Sequence, residues 1–250
     1  MSDTQQIDEH ALLEALNARQ IVCAFQPVVD ARNFGVHHYE CLLRVMETEY
    51  DQPLSPGPFI AAAEELGLVH LLDRRMLENA ARALIGRGDL RLALNVSAQT
   101  VANRRAADDY LDALRALGPA ASRLTLELTE TVAVDDPTLA ARFSTRARAM
   151  GCKFAVDDFG SGYTTFRNLL AIEADSIKID GSFIEDLLTE ERARTFIRMI
   201  VDLAQTFGVD TVAERVETAE EAAMLAELGV DFLQGYHFGA PSLERPAKAA

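Results

Sequence analysis

Short apolar runs alternate with amphipathic helical stretches along most of this chain, and that alternation limits the fold more than any other feature. A Pro/Gly-rich loop over 53–58 leads into a helix over 59–66 that stops at Gly67. A longer helix over 69–85 carries Leu72, Met76, Ala80 and Leu84 on one stripe, and Gly86 and Gly88 end it. A strand over 90–96, helical stretches to Leu117 and a strand over 124–128 follow. Asp136-Pro137 opens the next helix and Met150-Gly151 closes it. Strands over 153–156, 176–179, 211–213 and 231–233 are separated by a helix over 191–207 and by one that starts on the capping box Thr218-Ala-Glu-Glu221 and ends at Gly229. Strands alternating with helices over this length predict an α/β fold with a parallel sheet, closed as a TIM-like (β/α)8 barrel. A doubly wound open sheet is the alternative.

The beginning of the chain breaks the pattern. Ile7, Leu12, Leu13 and Leu16 fall roughly on one helical face, which predicts a lead-in helix within residues 1–20. The strand over 21–29 contains Pro27, which demotes its far half to an edge or an ending. A turn over 30–35 and a second strand over 36–43 follow. Two strands joined by so short a loop are antiparallel neighbours, so the barrel, spanning 21–245, carries an antiparallel strand near its N-terminus. With 250 residues, 49% of them hydrophobic, and no linker rich enough to split it, the chain suits one core.

The net charge of −15 argues against a nucleic-acid polymer as partner, since phosphates want Lys and Arg. It leaves room for a small anion held through metal ions. Cys23, Cys41 and Cys152 are scattered and odd in number, which points to a reduced, cytoplasmic setting. Neither a basic-then-apolar leader nor an apolar run near 18 residues is present. The chain reads equally as one module of a longer protein.

Chemistry gathers first at Phe154-Ala-Val-Asp157-Asp158-Phe159-Gly160-Ser161-Gly162-Tyr163-Thr164-Thr165. An apolar strand ends on adjacent carboxylates and a glycine-rich turn. Paired acids repel unless something positive sits between them, and hard divalent cations meet that need. The plain alternative is a surface turn. The other strand ends carry Glu40, Asn95, Glu127, Lys178, Glu214 with Glu217 nearby, and Gln234. In a parallel barrel all of them open on one face. So many acids around one mouth call for cations, and carboxylates with an Asn oxygen suit Mg²⁺ or Mn²⁺ rather than zinc. Tyr236 can stack on a planar base or simply pack, with packing the favoured reading, and His37, His38 and His237 form no metal spacing.

Glu40-Cys41-Leu42-Leu43-Arg44 resembles the Glu-Ala-Leu-x-Arg signature of the EAL domain family. Asn95-Val96-Ser97, Glu127-Leu128-Thr129-Glu130, Asp157-Asp158-Phe159-Gly160, Lys178-Ile179-Asp180, Glu214-Arg215-Val216-Glu217 and Gln234-Gly235-Tyr236 resemble the family's further motifs, in family order. The resemblance implies a cyclic di-GMP phosphodiesterase with two divalent metals and pGpG as product; some members have lost catalysis and act as receptors. It implies metal ligation by Glu40, Asn95, Glu127, Asp157 and Asp158, catalytic roles for Lys178 and Glu214, and a loop-steadying role for Glu130. Gln26, Arg44 and Gln234 correspond to substrate contacts. A homodimer and sensory or GGDEF-type domains in a longer parent protein are implied as well. Three positions depart from the pattern: Cys41 for Ala, Arg215 for Gly, and Gly181 for Arg.

The residues fit phosphodiester hydrolysis on their own chemistry. Two metals about 3.5–4 Å apart can generate hydroxide and relieve phosphate charge, with Lys178 as a fixed charge and Arg44 as a phosphate fork. Ca²⁺, larger and looser in geometry, is expected to inhibit. A non-catalytic cyclic di-GMP receptor and an unrelated Mg²⁺-dependent barrel enzyme are the competing readings.

Overall fold

The structure is a computed structural model and describes residues 9–18, 20–47, 52–129, 137–159 and 173–246. Eight strands close into a ring in the order β1 (Ile21–Asp30), β2 (Val36–Glu47), β4 (Leu92–Val96), β5 (Leu124–Thr129), β6 (Lys153–Phe159), β7 (Ser176–Ile179), β8 (Asp210–Ala213) and β9 (Phe232–Gln234). The closure of β9 onto β1 and of β1 onto β2 excludes the open doubly wound sheet. Seven strands are parallel; β1 alone runs against both neighbours. The short β3 (Gln52–Leu54) pairs with β2 outside the ring.

β1 continues through Pro27 to Asp30, further than a proline suggests. The reason lies in its partners. Phe25 exchanges hydrogen bonds with Ser242, and pairing with β9 starts only at Val28. Amides two residues apart face the same side, so the N–H that Pro27 lacks would have pointed into the gap between these two contacts.

Alternation along each strand sorts the side chains. In β5, Leu124, Leu126 and Leu128 are buried on one side and Glu127 on the other. In β7, Ile177 and Ile179 alternate with Lys178. The apolar set packs outward under the helices: α3 (Val69–Leu84), α5 (Arg104–Ala116), α6 (Pro137–Arg148), α8 (Glu191–Phe207) and α9 (Ala219–Glu227). The short α2 (Gly57–Glu65), α4 (Ala98–Ala102) and α7 (Ser182–Glu185) complete the shell. Thr218 caps α9 reciprocally with Glu221, and Gly208 ends α8 in the left-handed region. The lead-in helix α1 (Glu9–Asn17) buries Leu12, Ala15 and Leu16 in the same core. β3, α7 and a 3-10 turn at Gly118–Arg123 are elements that periodicity does not reveal.

β6 extends beyond residue 156 to include Asp157, Asp158 and Phe159. Its register against β7 slips there, with Val156 opposite Ile177 and Phe159 opposite Ile179. One extra residue is therefore inserted at the Asp157-Asp158 pair. Asp158 takes a φ of +56°, uncommon for a residue with a Cβ. Among the described residues, no helix is long and apolar enough to cross a membrane.

Candidate active site

Each of the eight ring strands, or the residue just past it, brings polar side chains to the barrel mouth. Glu40, Glu127, Lys178 and Gln234 come from β2, β5, β7 and β9, which are alternate strands of the ring. Barrel interiors are normally filled by such four-residue layers of branched apolar side chains; here the layer is polar and buried, with exposures from 2% to 4%. From the strands between come Asn95 on β4, Asp157 on β6 and Glu214 one residue past β8, with Gln26 on β1.

Lys178 holds the layer together. Its Nζ lies 2.8 Å from Glu214, 2.9 Å from Glu127, 3.0 Å from Asp157 and 3.3 Å from Glu40. Gln234 donates to Glu40 at 2.6 Å and to Gln26 at 3.1 Å, and Gln26 donates to the Gly239 carbonyl. Asn95 donates its amide nitrogen to Glu40 at 2.8 Å, which turns its carbonyl oxygen away from that carboxylate. A strand-end surface lysine is excluded by this burial.

Four carboxylates around one ammonium leave an excess of negative charge. Burial pushes Glu127 well above the usual carboxylate range, because Glu40 and Asp157 reinforce it and Lys178 does not fully offset it. Burial drives Glu214 up to about 7, with Asp157 adding to the effect. Burial alone would also raise Glu40, but Lys178 and the hydrogen bonds from Gln234 and Asn95 overcome it and hold Glu40 low. Lys178 stays charged well above its ordinary value, since its four acids outweigh the burial.

Adjacent residues of a regular strand face opposite ways. The inserted residue in β6 lifts that restriction, and both Asp157 and Asp158 line the mouth. Carboxylate oxygens of Asp157, Asp158 and Glu214 lie within 4.8 Å of one another. Partial burial and the neighbouring Asp157 push Asp158 above the usual range. Acidic oxygens so close, already short of positive charge, fit a hard divalent cation. Gln234 Oε1 is buried with no partner among the described residues.

Above the layer opens a cavity of about 770 Å³. Its wall includes Gln26, Arg44, Glu217 and Tyr236, and β3 with the following turn supplies Pro53, Leu54, Ser55 and Pro56. Arg44 forms no ion pair among the described residues and donates to the Leu43 carbonyl at 2.8 Å. Tyr236 is 69% exposed on this wall rather than packed inside. Glu130 and residues 160–165 lie outside the described residues.

The segment after β8 is sewn to the turn after β9. Val216 N–H donates to the Gln234 carbonyl at 3.0 Å and His237 N–H to the Val216 carbonyl at 3.1 Å. A Cβ on Gly235 would stand 2.0 Å from the Val216 carbonyl oxygen. Sequence reading names Gly235 only within the Gln234-Gly235-Tyr236 motif and gives it no role. It passes over Asp73, an acid on α3 that is 9% exposed and accepts from Ser97 N–H and Thr100 Oγ1. Positions 181 and 215, both departures from the EAL pattern, meet in space, with the Arg215 stem lying against Gly181.

The EAL domain profile matches residues 9–241. MucR of Pseudomonas aeruginosa, named a bifunctional diguanylate cyclase/cyclic di-GMP phosphodiesterase, is 33% identical over 237 residues, 93% of this chain and 34% of MucR. The cyclic di-GMP phosphodiesterase PdeF of Escherichia coli is 32% identical over 234 residues, 92% of this chain and 31% of PdeF. The chain thus spans about a third of the length of these curated relatives. Among solved structures, the PaMucR phosphodiesterase in complex with c-di-GMP matches with a TM-score of 0.85 and 33% identity, covering 93% of this chain and 96% of that one. The FimX EAL domain from Pseudomonas aeruginosa bound to c-di-GMP matches with a TM-score of 0.87 and 26% identity, covering 95% and 97%. The sequence motifs, the polar barrel layer and the match over nearly all of its length lead to one conclusion: this chain belongs to the EAL domain family.

Proposed function

We propose that this domain hydrolyses cyclic di-GMP to pGpG with divalent cations at the barrel mouth. The observation that carries the reading is the convergence of Glu40, Glu127, Asp157 and Glu214 on Lys178 beneath a cavity of about 770 Å³. A receptor needs a cavity and cations; it has no use for a buried excess of acids, which is costly to maintain.

Glu40, Asn95, Glu127, Asp157 and Asp158 would hold two Mg²⁺ or Mn²⁺ ions, which supply an activated water and relief of phosphate charge when bound. Lys178 keeps a fixed positive charge beside the water and the scissile phosphate. Glu214, poised near 7, is placed to accept or return a proton. Arg44 offers a planar fork to a phosphate, while Gln26 and Gln234 present amides at the floor of the cavity. Glu130 steadies the loop that follows Asp158 in this proposal. Further domains of GGDEF or sensory type in the same polypeptide are consistent with the length of the relatives, and a homodimer belongs to the same proposal.

The test is direct. Purified protein is incubated with cyclic di-GMP and Mg²⁺ or Mn²⁺, and the products are separated by chromatography. The expected result is pGpG, abolished by chelator. Tight binding without cleavage in either metal establishes the receptor reading instead.

A further inference from the structure

Arg215 stands on the cavity wall in a backbone conformation that does not suit it. Its φ is +53°, in the left-handed region that glycine enters freely and arginine does not. Its stem lies against Gly181, where an added Cβ would fall 2.3 Å from Cδ, 2.6 Å from Cγ and 2.8 Å from Cβ of Arg215. Gly181 itself has an ordinary φ of −60°, so glycine is needed there for space and not for backbone freedom. The chain therefore accepts strain at one residue and gives up a side chain at another, and both accommodate a single guanidinium.

That guanidinium is available. Its side chain is 64% exposed, and its ion pair with the equally exposed Glu185 is 3.8 Å long. Exposed pairs of that length contribute little. Lys178, the cation deep in the mouth, is already surrounded by four carboxylates. Asp158 and Glu217 add negative charge to the wall. An anionic ligand entering here meets repulsion unless cations receive it, and among the described residues Arg44 and Arg215 are the cations besides Lys178 that line the cavity.

We propose that Arg215, seated in the notch left by Gly181, is a substrate-binding residue that holds the phosphate of the cyclic dinucleotide not undergoing cleavage. The proposal rests on the phosphodiesterase reading for the identity of the ligand. A cyclic dinucleotide carries two phosphodiesters; with one at the acidic floor, the other needs a partner at the rim. An arginine fork provides two parallel charge-assisted hydrogen bonds to such a group. Backbone strain of this kind recurs at ligand clamps, and here it lies on the cavity wall.

Binding of cyclic di-GMP is measured by calorimetry in Ca²⁺, with hydrolysis checked on the same sample, for the parent and for Arg215→Gln, Arg215→Gly, Gly181→Ala and Glu185→Gln. Hydrogen bonds to charged groups of this kind account for about 10–100-fold in affinity. Arg215→Gln and Arg215→Gly are expected to weaken binding by that factor and to raise KM in Mg²⁺ in parallel. Arg215→Gly is also expected to raise the thermal midpoint, because glycine relieves the strain. Gly181→Ala is expected to weaken binding in the parent and to add nothing in the Arg215→Gly background. Glu185→Gln is expected to bind as the parent does, or more tightly. Binding by Arg215→Gln within twofold of the parent overturns the proposal. So does a loss of affinity in Glu185→Gln equal to that in Arg215→Gln, which makes the ion pair structural. A parent that binds in Ca²⁺ and fails to cleave in Mg²⁺ or Mn²⁺ removes the phosphodiesterase reading and leaves the Arg215 affinity comparison decisive; a parent that binds no cyclic di-GMP removes both.

Discussion

Lys178 Nζ lies 2.8 Å from Glu214 Oε1, in the shortest of the four ion pairs that the lysine makes with buried or half-buried acids. The ammonium thus stands as the cation at the centre of a site whose acids outnumber it. Truncating it leaves the four acids facing one another.

Lys178→Ala is expected to lower turnover by about 10²–10³, the usual worth of one preorganised charge, while cyclic di-GMP still binds. Without metal, its stability should fall by about 3–5 kcal/mol, as when a buried pair loses one partner, and Mg²⁺ should restore part of it. Single-turnover hydrolysis beside thermal melts with and without Mg²⁺ checks both. Turnover within tenfold of the parent removes Lys178 from the chemistry.

Glu40 is 4% exposed and bonded to Lys178, Gln234 and Asn95, so it is more than a strand-end residue meeting water. Glu40→Ala would leave those partners unsatisfied. Glu40→Gln keeps the volume and is expected to abolish detectable hydrolysis while changing stability by about 1 kcal/mol, the usual scale for one hydrogen bond. Urea unfolding and a chromatographic product assay read the two effects. Near-normal turnover in Glu40→Gln removes it from the ligand set.

Metal binding is expected to release protons. Burial holds Glu214 at about 7 and Glu127 well above the usual carboxylate range. A cation favours the ionised carboxylates, so both sites lose protons as it binds, and affinity for Mn²⁺ should strengthen as pH rises through about 7. Calorimetry of Mn²⁺ binding in two buffers of different ionisation enthalpy measures the release. Identical heats in the two buffers contradict the assignment.

Asp73 gives a pH dependence separate from the site. Burial pushes its carboxyl from 3.8 up to about 6, against the opposing hydrogen bonds from Thr100 and Ser97. The folded state binds the proton more tightly, so this contribution to stability is full below about 3.8 and falls as pH rises to about 6. The loss is on the order of 3 kcal/mol. Asp73→Asn removes the charge and keeps an acceptor for both donors. It is expected to flatten stability over that window and to gain about 1–2 kcal/mol at neutral pH after its unpaired N–H is counted. Denaturation curves at pH 4 and pH 7 check this; an unchanged pH slope in the variant contradicts it.

Sequence periodicity was enough to reveal the barrel because each outward strand face is apolar and each helix has a clear stop. The α8 bounds, for example, follow from the stripe and from Gly208. The strand-end polar residues were legible for a related reason: in β5 and β7 a single charge interrupts an otherwise apolar alternation. Three features were not legible. The extra residue at Asp157-Asp158 depends on register with β7, which no local pattern encodes. The contact between Gly181 and Arg215 links positions far apart in the chain. Tyr236 is exposed because the turn after β9 lifts it onto the wall, and an aromatic beside a strand reads the same whether packed or exposed.

Gly235 carries no charge, yet any larger residue there collides with the Val216 backbone and displaces the segment that begins at Glu214. A family member could therefore keep every acid of the mouth and still fall silent through one codon at this seam. Sorting active from inactive members by counting carboxylates would pass such a protein as intact. The backbone contact between the two final strands is a second criterion, and one that can be read from an alignment at a single column.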